Sequence, residues 1–200
     1  MGGRKWLVTE IDYRTGRAYV EPSDYGEIPF FFNDCYEIDG IIAQKMKDIY
    51  MSDEIYPYLD VKSEAIKTLH NARSFFAHKH LEKNFSFFGE DNILLTWAGS
   101  KINRTISLIA NLYLKKIIGF NHIFINGLSK KHVLEILQKP KPKAEELCPF
   151  LMRCVKETKK YDFLLSDELL DIEYASMYLD VDAAWDRLIA IKNEIENDNI

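Results

Sequence analysis

The chain is short of the residues and motifs that mark secreted, membrane-spanning or catalytic proteins. Its 200 residues include only three cysteines, Cys35, Cys148 and Cys154. An odd number without CxxC spacing gives neither a disulfide framework nor a zinc site, and it fits a reducing, cytoplasmic compartment. No run of eighteen apolar residues occurs, so no membrane span and no membrane partner are expected. The opening "MGGRKWLV" lacks the apolar centre of a secretory signal. There is no GxxxxGK[ST] loop to cradle a nucleoside triphosphate. "SDEIY" and "SDELL" carry Asp-Glu without the residue that would complete a helicase acidic box, and GxSxG and HExxH are missing. His70, His78 and His80 form the one histidine cluster, but their spacing does not put all three on one helix face, so no metal site is expected. Glu145-Glu146 and Asp180/Asp182 read as solvated helix starts. The chain is therefore expected to be no enzyme on its own and to hold no cofactor. Proline is scarce as well, with six in all. Pro140 and Pro142 fall in "QKPKPK", which cannot continue a helix and reads as an exposed link.

What is present suits a folded domain. The composition is 47% hydrophobic and 28% charged, enough for one core, or a core plus a helical appendage. The net charge of −5 conceals blocks. Residues 1–100 hold 11 Lys/Arg against 16 Asp/Glu, residues 101–143 hold nine against the single acid Glu135, and residues 144–200 hold six against 14. A polyanion is attracted to the middle block alone, unless the acidic and basic blocks face each other within the molecule.

Apolar–polar alternation in "KWLVTEID" and "RAYVEP", around "YRTG", predicts a hairpin with Gly16 in its loop. "SDYGEIPFFF" predicts a loop and a short edge strand starting at Pro29. Helical spacing of Ile38, Ile41, Ile42, Met46 and Ile49 predicts a helix over 37–51. A second follows Asp60 as cap, burying Ile66, Leu69, Ala72, Phe76 and Leu81. "FSFFGEDNILLTW" predicts two short strands joined at residues 89–91. A helix over 101–117 has apolar positions Ile102, Ile106, Ile109 and Tyr113, a polar face of Arg104, Ser107, Asn111 and Lys115, and a stop at Gly119. "FNHIFING" reads as one strand, Ser129 as the cap of "KKHVLEIL", and the rest as helical. The order of elements is not a regular strand–helix alternation. It predicts an α+β fold with a small, largely antiparallel sheet packed with helices: an α+β domain over 1–138, the Lys/Pro link over 139–143, and a helical segment over 144–200 packed on the first part.

"LLTWAGSKINRTI" (94–106) is the candidate site. A helix start carries unpaired N–H groups and the positive end of the macrodipole, and Lys101 and Arg104 add full charges there. Such a junction binds phosphate, and Trp97 beside it can stack on a base. The structural alternative is that Trp97 fills the core, Ser100 caps the helix and the cations are solvated.

Four stretches carry a resemblance. "GGRKWLVTEIDYRTGRAYVEPSDYGEIPFF", through Gly3, Arg4, Trp6, Val8, Ile11, Asp12, Val20, Pro22 and Pro29, resembles the segment after the motor domains and winged helix of large helicase-related (Lhr-like) superfamily 2 helicases. "YLDVKSEAIKTLHNARSFF" is similar through Tyr58, Leu59, Asp60, Ala65, Leu69, Ala72, Arg73 and Phe76. "TWAGSKINRTI" is similar through Trp97, Gly99, Asn103 and Thr105. "YDFLLSDELLDIEYASMYLDVDAAWDRL" resembles the family's C-terminal helix pair, with Ser166 where proline is frequent. The resemblance runs in order through nearly the whole chain. It implies a non-catalytic C-terminal accessory domain of an ATP-dependent DEAD/DEAH-type helicase, one that helps hold the departing single strand and uses an aromatic for stacking. ATP and Mg are expected only in motor domains, which this chain lacks, so a fragment or one half of a two-gene helicase is expected. The implied partners are single-stranded DNA or RNA, and motor domains in the same or a partner chain. The nucleic-acid-binding residues expected are Trp97, Ser100, Lys101, Arg104, Lys115, Lys116, Lys130 and Lys131. The alternative is a structural or interaction module that braces a motor and touches no nucleic acid, its basic block paired with the acidic tail.

Overall fold

Period-2 alternation makes strands of "WLVTEID" and "RAYVEP". They pair antiparallel as β1 (Trp6–Asp12) and β2 (Arg17–Pro22), with a bulge between Val8 and Glu10. Asp12 shapes the turn, accepting from the Thr15 N–H at 3.3 Å and its hydroxyl at 2.6 Å. The computed structural model describes residues 6–12, 15, 17–23, 37–59, 64–81, 86–88, 93–116 and 118–197. The expected Pro29 strand and Asp60 cap lie outside them. Residues 1–36 and 37–200 form two compact units.

The second unit opens with α1 (Gly40–Met51), whose cap Asp39 accepts from the Ile41 N–H at 2.8 Å. α2 (Glu64–His78) packs against it. Arg73 of α2 fixes the chain after α1, donating to the carbonyls of Ile49 and Glu54 and to the Ser52 hydroxyl at 3.1–3.2 Å. β3 (Ser86–Phe88) and β4 (Ile93–Leu95) pair antiparallel as the sequence suggests. α3 (Ser100–Leu114) crosses to β5 (Gly119–Phe120) and β6 (Phe124–Asn126). The four strands make one antiparallel sheet in the order β3-β4-β6-β5. The fold is α+β, with small antiparallel sheets and packed helices.

Two expectations change here. α3 ends at Leu114, where Lys115 takes the left-handed conformation (φ 54°) and closes the helix through its N–H on the Asn111 carbonyl. Gly119 instead begins β5. "FNHIFING" is not one strand, because the Asn121 carboxamide oxygen accepts the N–H groups of Ile123 and Phe124, both at 2.8 Å, and turns the chain back.

α4 (Lys130–Ile136) starts at Ser129, which forms a capping box with His132. Beyond the Lys/Pro link, a 3₁₀ helix (Ala144–Phe150) inserts Leu147 and Cys148 into the core. α5 (Arg153–Lys156) and a 3₁₀ turn (Asp162–Leu164) lead to α6 (Asp167–Tyr178) and α7 (Val181–Asn197). Ser166 caps α6, accepting from the Leu169 N–H. α7 buries Val181, Ala184, Leu188, Ile191 and Ile195, a helical stripe that meets Ile106 and Ile109 of α3, Val133 and Ile136 of α4, and Leu94 and Ile125 of the sheet. One core thus joins elements from both sides of the link.

Candidate nucleic-acid interface

The backbone N–H groups of Trp97, Gly99 and Ser100 are taken up by other backbone. The Thr96 and Trp97 N–H groups both donate to the Ile123 carbonyl, and Gly99 donates to His122. Ser100 donates to the Ile38 carbonyl at 2.8 Å, while its hydroxyl accepts the Ile38 N–H at 3.0 Å. Ser100 therefore does not cap α3. Gly99 holds that position with no side-chain cap, and Ser100 clamps Ile38, the residue before the α1 cap. The approach leaves no room for a side chain. Gly99 has φ 84°, and a Cβ on it would stand 2.5 Å from the Gly40 nitrogen and 2.7 Å from the Ile38 oxygen. The first N–H of α3 is thus occupied by a peptide carbonyl of the same chain rather than offered to a phosphate.

Trp97 does not stand on the surface. Its side chain is 5% exposed and packs with Phe76 and Leu81, against Met46, Tyr50, Leu95 and Ile123. Ring centroids of Tyr50 and Phe76 lie 6.2 and 6.1 Å away. Stacking needs an open ring face, so the expectation that Trp97 stacks on a base is corrected: the ring is core. Its indole Nε1 is buried without a hydrogen-bond partner among the described residues, an expense of about 1–3 kcal/mol.

Arg104 is likewise spent. It pairs with Glu37 at 2.5 Å and lies over the rings of Tyr178 and Phe120 at 5.5 and 5.9 Å, with 18% of the side chain exposed. Beneath it Tyr174 stacks on Tyr178 at 4.9 Å, and burial raises the Tyr174 phenol above its ordinary pKa against the pull of Arg104. The polar face expected for α3 is partly internal as well, since the buried Ser107 donates to the Ile118 carbonyl.

The interior polar network was not read from the sequence. Asn103 is fully buried, accepting from the Thr96 hydroxyl and donating to the Asn121 carbonyl, both at 2.7 Å. Arg187 of α7 donates to the Thr96 carbonyl, and burial pulls its guanidinium below the usual arginine pKa. Only the pairing of "TWAGSKIN" with "FNHI" across the sheet brings these groups together, and no local pattern announces it.

The remaining cations divide. Lys101 is half-buried in the first turn of α3, and Lys115, Lys116, Lys130 and Lys131 are exposed. About 21 Å of helix separates the two ends of α3, at 1.5 Å per residue. At the far end, Lys115 lies 5.4 Å from the Phe150 ring, and Lys116 donates to the Gly127 carbonyl at 3.0 Å, three residues before Lys130. The two lysine pairs therefore flank the β5–β6 hairpin. Lys141, in the link, pairs with Asp182 at the start of α7, so basic and acidic blocks meet in part within the fold.

Among the described residues no group of three or more His, Cys, Asp or Glu could hold a metal ion, and no helix is long and apolar enough to cross a membrane. No protein-family model, curated protein or solved structure matches this chain.

Proposed function

We propose that the chain is a non-catalytic, cytoplasmic accessory domain of an Lhr-like DEAD/DEAH-type helicase, and that it holds single-stranded nucleic acid by its phosphates. The observation that carries this reading is the placement of Lys115–Lys116 and Lys130–Lys131 on either side of the β5–β6 hairpin, within a stretch holding nine Lys/Arg against one acid. The ordered resemblance of four stretches supports the parent enzyme, with ATP and Mg handled by its motor domains. Lys101 adds a weaker contact at the other end of α3. With Trp97 in the core, the grip is on backbone charge and tolerates any sequence, DNA or RNA.

The test is fluorescence anisotropy of labelled oligo-dT and oligo-rU against the full chain over a salt series. Four phosphate contacts give a log–log salt slope of about −3, at about 0.7 per phosphate for a single strand. Replacing each pair by Gln flattens the slope by about 1.4. A flat salt response, or lysine variants indistinguishable from wild type, overturns the reading. The second reading, a brace for a motor that touches no nucleic acid, draws on Arg104 and Lys141, both already paired inside the chain, and predicts that flat response.

A further inference from the structure

Within residues 37–200 the buried apolar side chains gather in two clusters of unequal size. The main core draws its buried members from positions 94–195, and among the described residues none comes from 37–81. The smaller cluster is Phe76, Leu81 and Trp97, with Met46, Tyr50, Leu95 and Ile123 against it. It joins α1 and α2 to the chain around Trp97. Burial follows the same division. α7 buries five of its 17 residues, whereas α2 buries only Phe76 among 15 and α1 only Ala43 and Lys47 among 12. Helices of this length owe their stability in a protein to packing more than to propensity.

α1 and α2 nonetheless hold each other. Arg73 binds the chain after α1 through two carbonyls and the Ser52 hydroxyl, and lies 5.8 Å from the Tyr56 ring. The rings of Tyr50 and Phe76 meet with centroids 5.8 Å apart. Among the described residues, attachment to the main core rests on Trp97, the two Ser100–Ile38 hydrogen bonds and the Arg104–Glu37 pair. Gly40 also packs its backbone on Ala98, where an added Cβ would stand 2.7 Å from the Ala98 oxygen. That attachment carries strain. Trp97 takes φ 51° and Gly99 φ 84°, and the indole N–H is the buried, unbonded donor described above. The N–H regains water when the ring leaves its cluster. A left-handed φ at a bulky residue persists only while its surroundings enforce it.

We infer that α1 and α2 form an arm that opens from the main core as one cooperative unit, with Trp97 as its latch, while α3, α4, α6 and α7 stay folded. Opening breaks the Arg104–Glu37 pair, bares the Trp97 ring and takes the Ile38 carbonyl away from the Ser100 N–H. The arm is thus a strap across the start of α3, and its position sets whether that helix start faces protein or water. The inference uses none of the four lysines on which the nucleic-acid reading rests, so each stands without the other.

The test is native-state hydrogen exchange of the full chain in sub-denaturing urea, followed amide by amide by NMR. Amides of α1 and α2 share one opening reaction, with protection at least about a hundredfold below that of α3 and α7. Their urea dependence is shallower, because opening the arm exposes less surface than unfolding the chain. Ile191→Val, in the main core, speeds exchange in α7 about two- to tenfold and leaves α1 and α2 at the wild-type rate. Trp97→Ala speeds α1 and α2 at least about a hundredfold, or to the unprotected limit, in a chain whose main core does not contain the ring. The inference is overturned if α1 and α2 follow the urea dependence of α7, or if Ile191→Val speeds all three helices equally, for the molecule then opens as one unit. It is overturned as well if α1 and α2 amides exchange singly with no urea dependence, which is fraying, or if Trp97→Ala leaves their rates unchanged.

Discussion

Trp97 carries φ 51°, a left-handed backbone that a bulky side chain adopts only when its surroundings force it. Those surroundings are the paired Thr96 and Trp97 N–H groups and the aromatic cluster beneath the ring. Trp97→Ala is expected to lose about 3–5 kcal/mol in urea unfolding, while Trp97→Phe, which deletes the orphaned indole N–H, stays near wild type. If Trp97→Ala unfolds at the wild-type urea midpoint, the ring is not core. Gly99→Ala meets both a left-handed φ and the close Gly40–Ile38 backbone. It should cost on the order of 2–4 kcal/mol by the same measurement. The sequence left Trp97 open for a physical reason: an aromatic at a strand end followed by Gly-Ser fits a stacking platform and a core plug equally well. Deciding between them takes Tyr50 and Phe76, which lie 47 and 21 residues upstream.

Among the elements, those governed by local signals were legible. The first hairpin, the β3–β4 pair, the stripe of α2 that ends in buried Phe76, and the Ser129 cap all follow from periodicity or capping chemistry. The end of α3 and the β5–β6 turn were not. One depends on a lysine accepting a left-handed φ, the other on a single asparagine side chain inside an otherwise strand-like run. Ser166 serves α6 as a cap. Ser166→Ala and Ser129→Ala should each lose about 1 kcal/mol, visible as a Tm drop of about 2–4 °C at this chain length. An unchanged Tm in both would remove the caps from the account.

For the molecule as a whole, the fold class was readable from the order of elements, and the charge blocks from simple counting. How the blocks are spent was not, because Arg104–Glu37 and Lys141–Asp182 join residues 67 and 41 positions apart. The same core sets a pH limit. Burial pushes the Cys148 thiol from its ordinary 9.0 up to about 11. Between those values the unfolded chain releases this proton while the folded chain keeps it. The native state then binds more protons, and stability falls as pH rises. Below pH 9 that contribution is fully present. Cys148→Ala should flatten the decline of urea-unfolding free energy between pH 9 and 11, and identical slopes in variant and wild type would contradict the burial argument.

The central claim is that nucleic acid is held by lysines flanking the β5–β6 hairpin and not by the tryptophan at the start of α3. The direct measurement compares two folded variants for oligo-dT affinity at one low salt concentration: Lys115, Lys116, Lys130 and Lys131 all replaced by Gln, and Trp97→Phe. The account predicts a loss of at least about a hundredfold in the first, from four phosphate contacts, and wild-type affinity in the second. Wild-type affinity in the lysine variant, with a loss confined to Trp97→Phe, would contradict it.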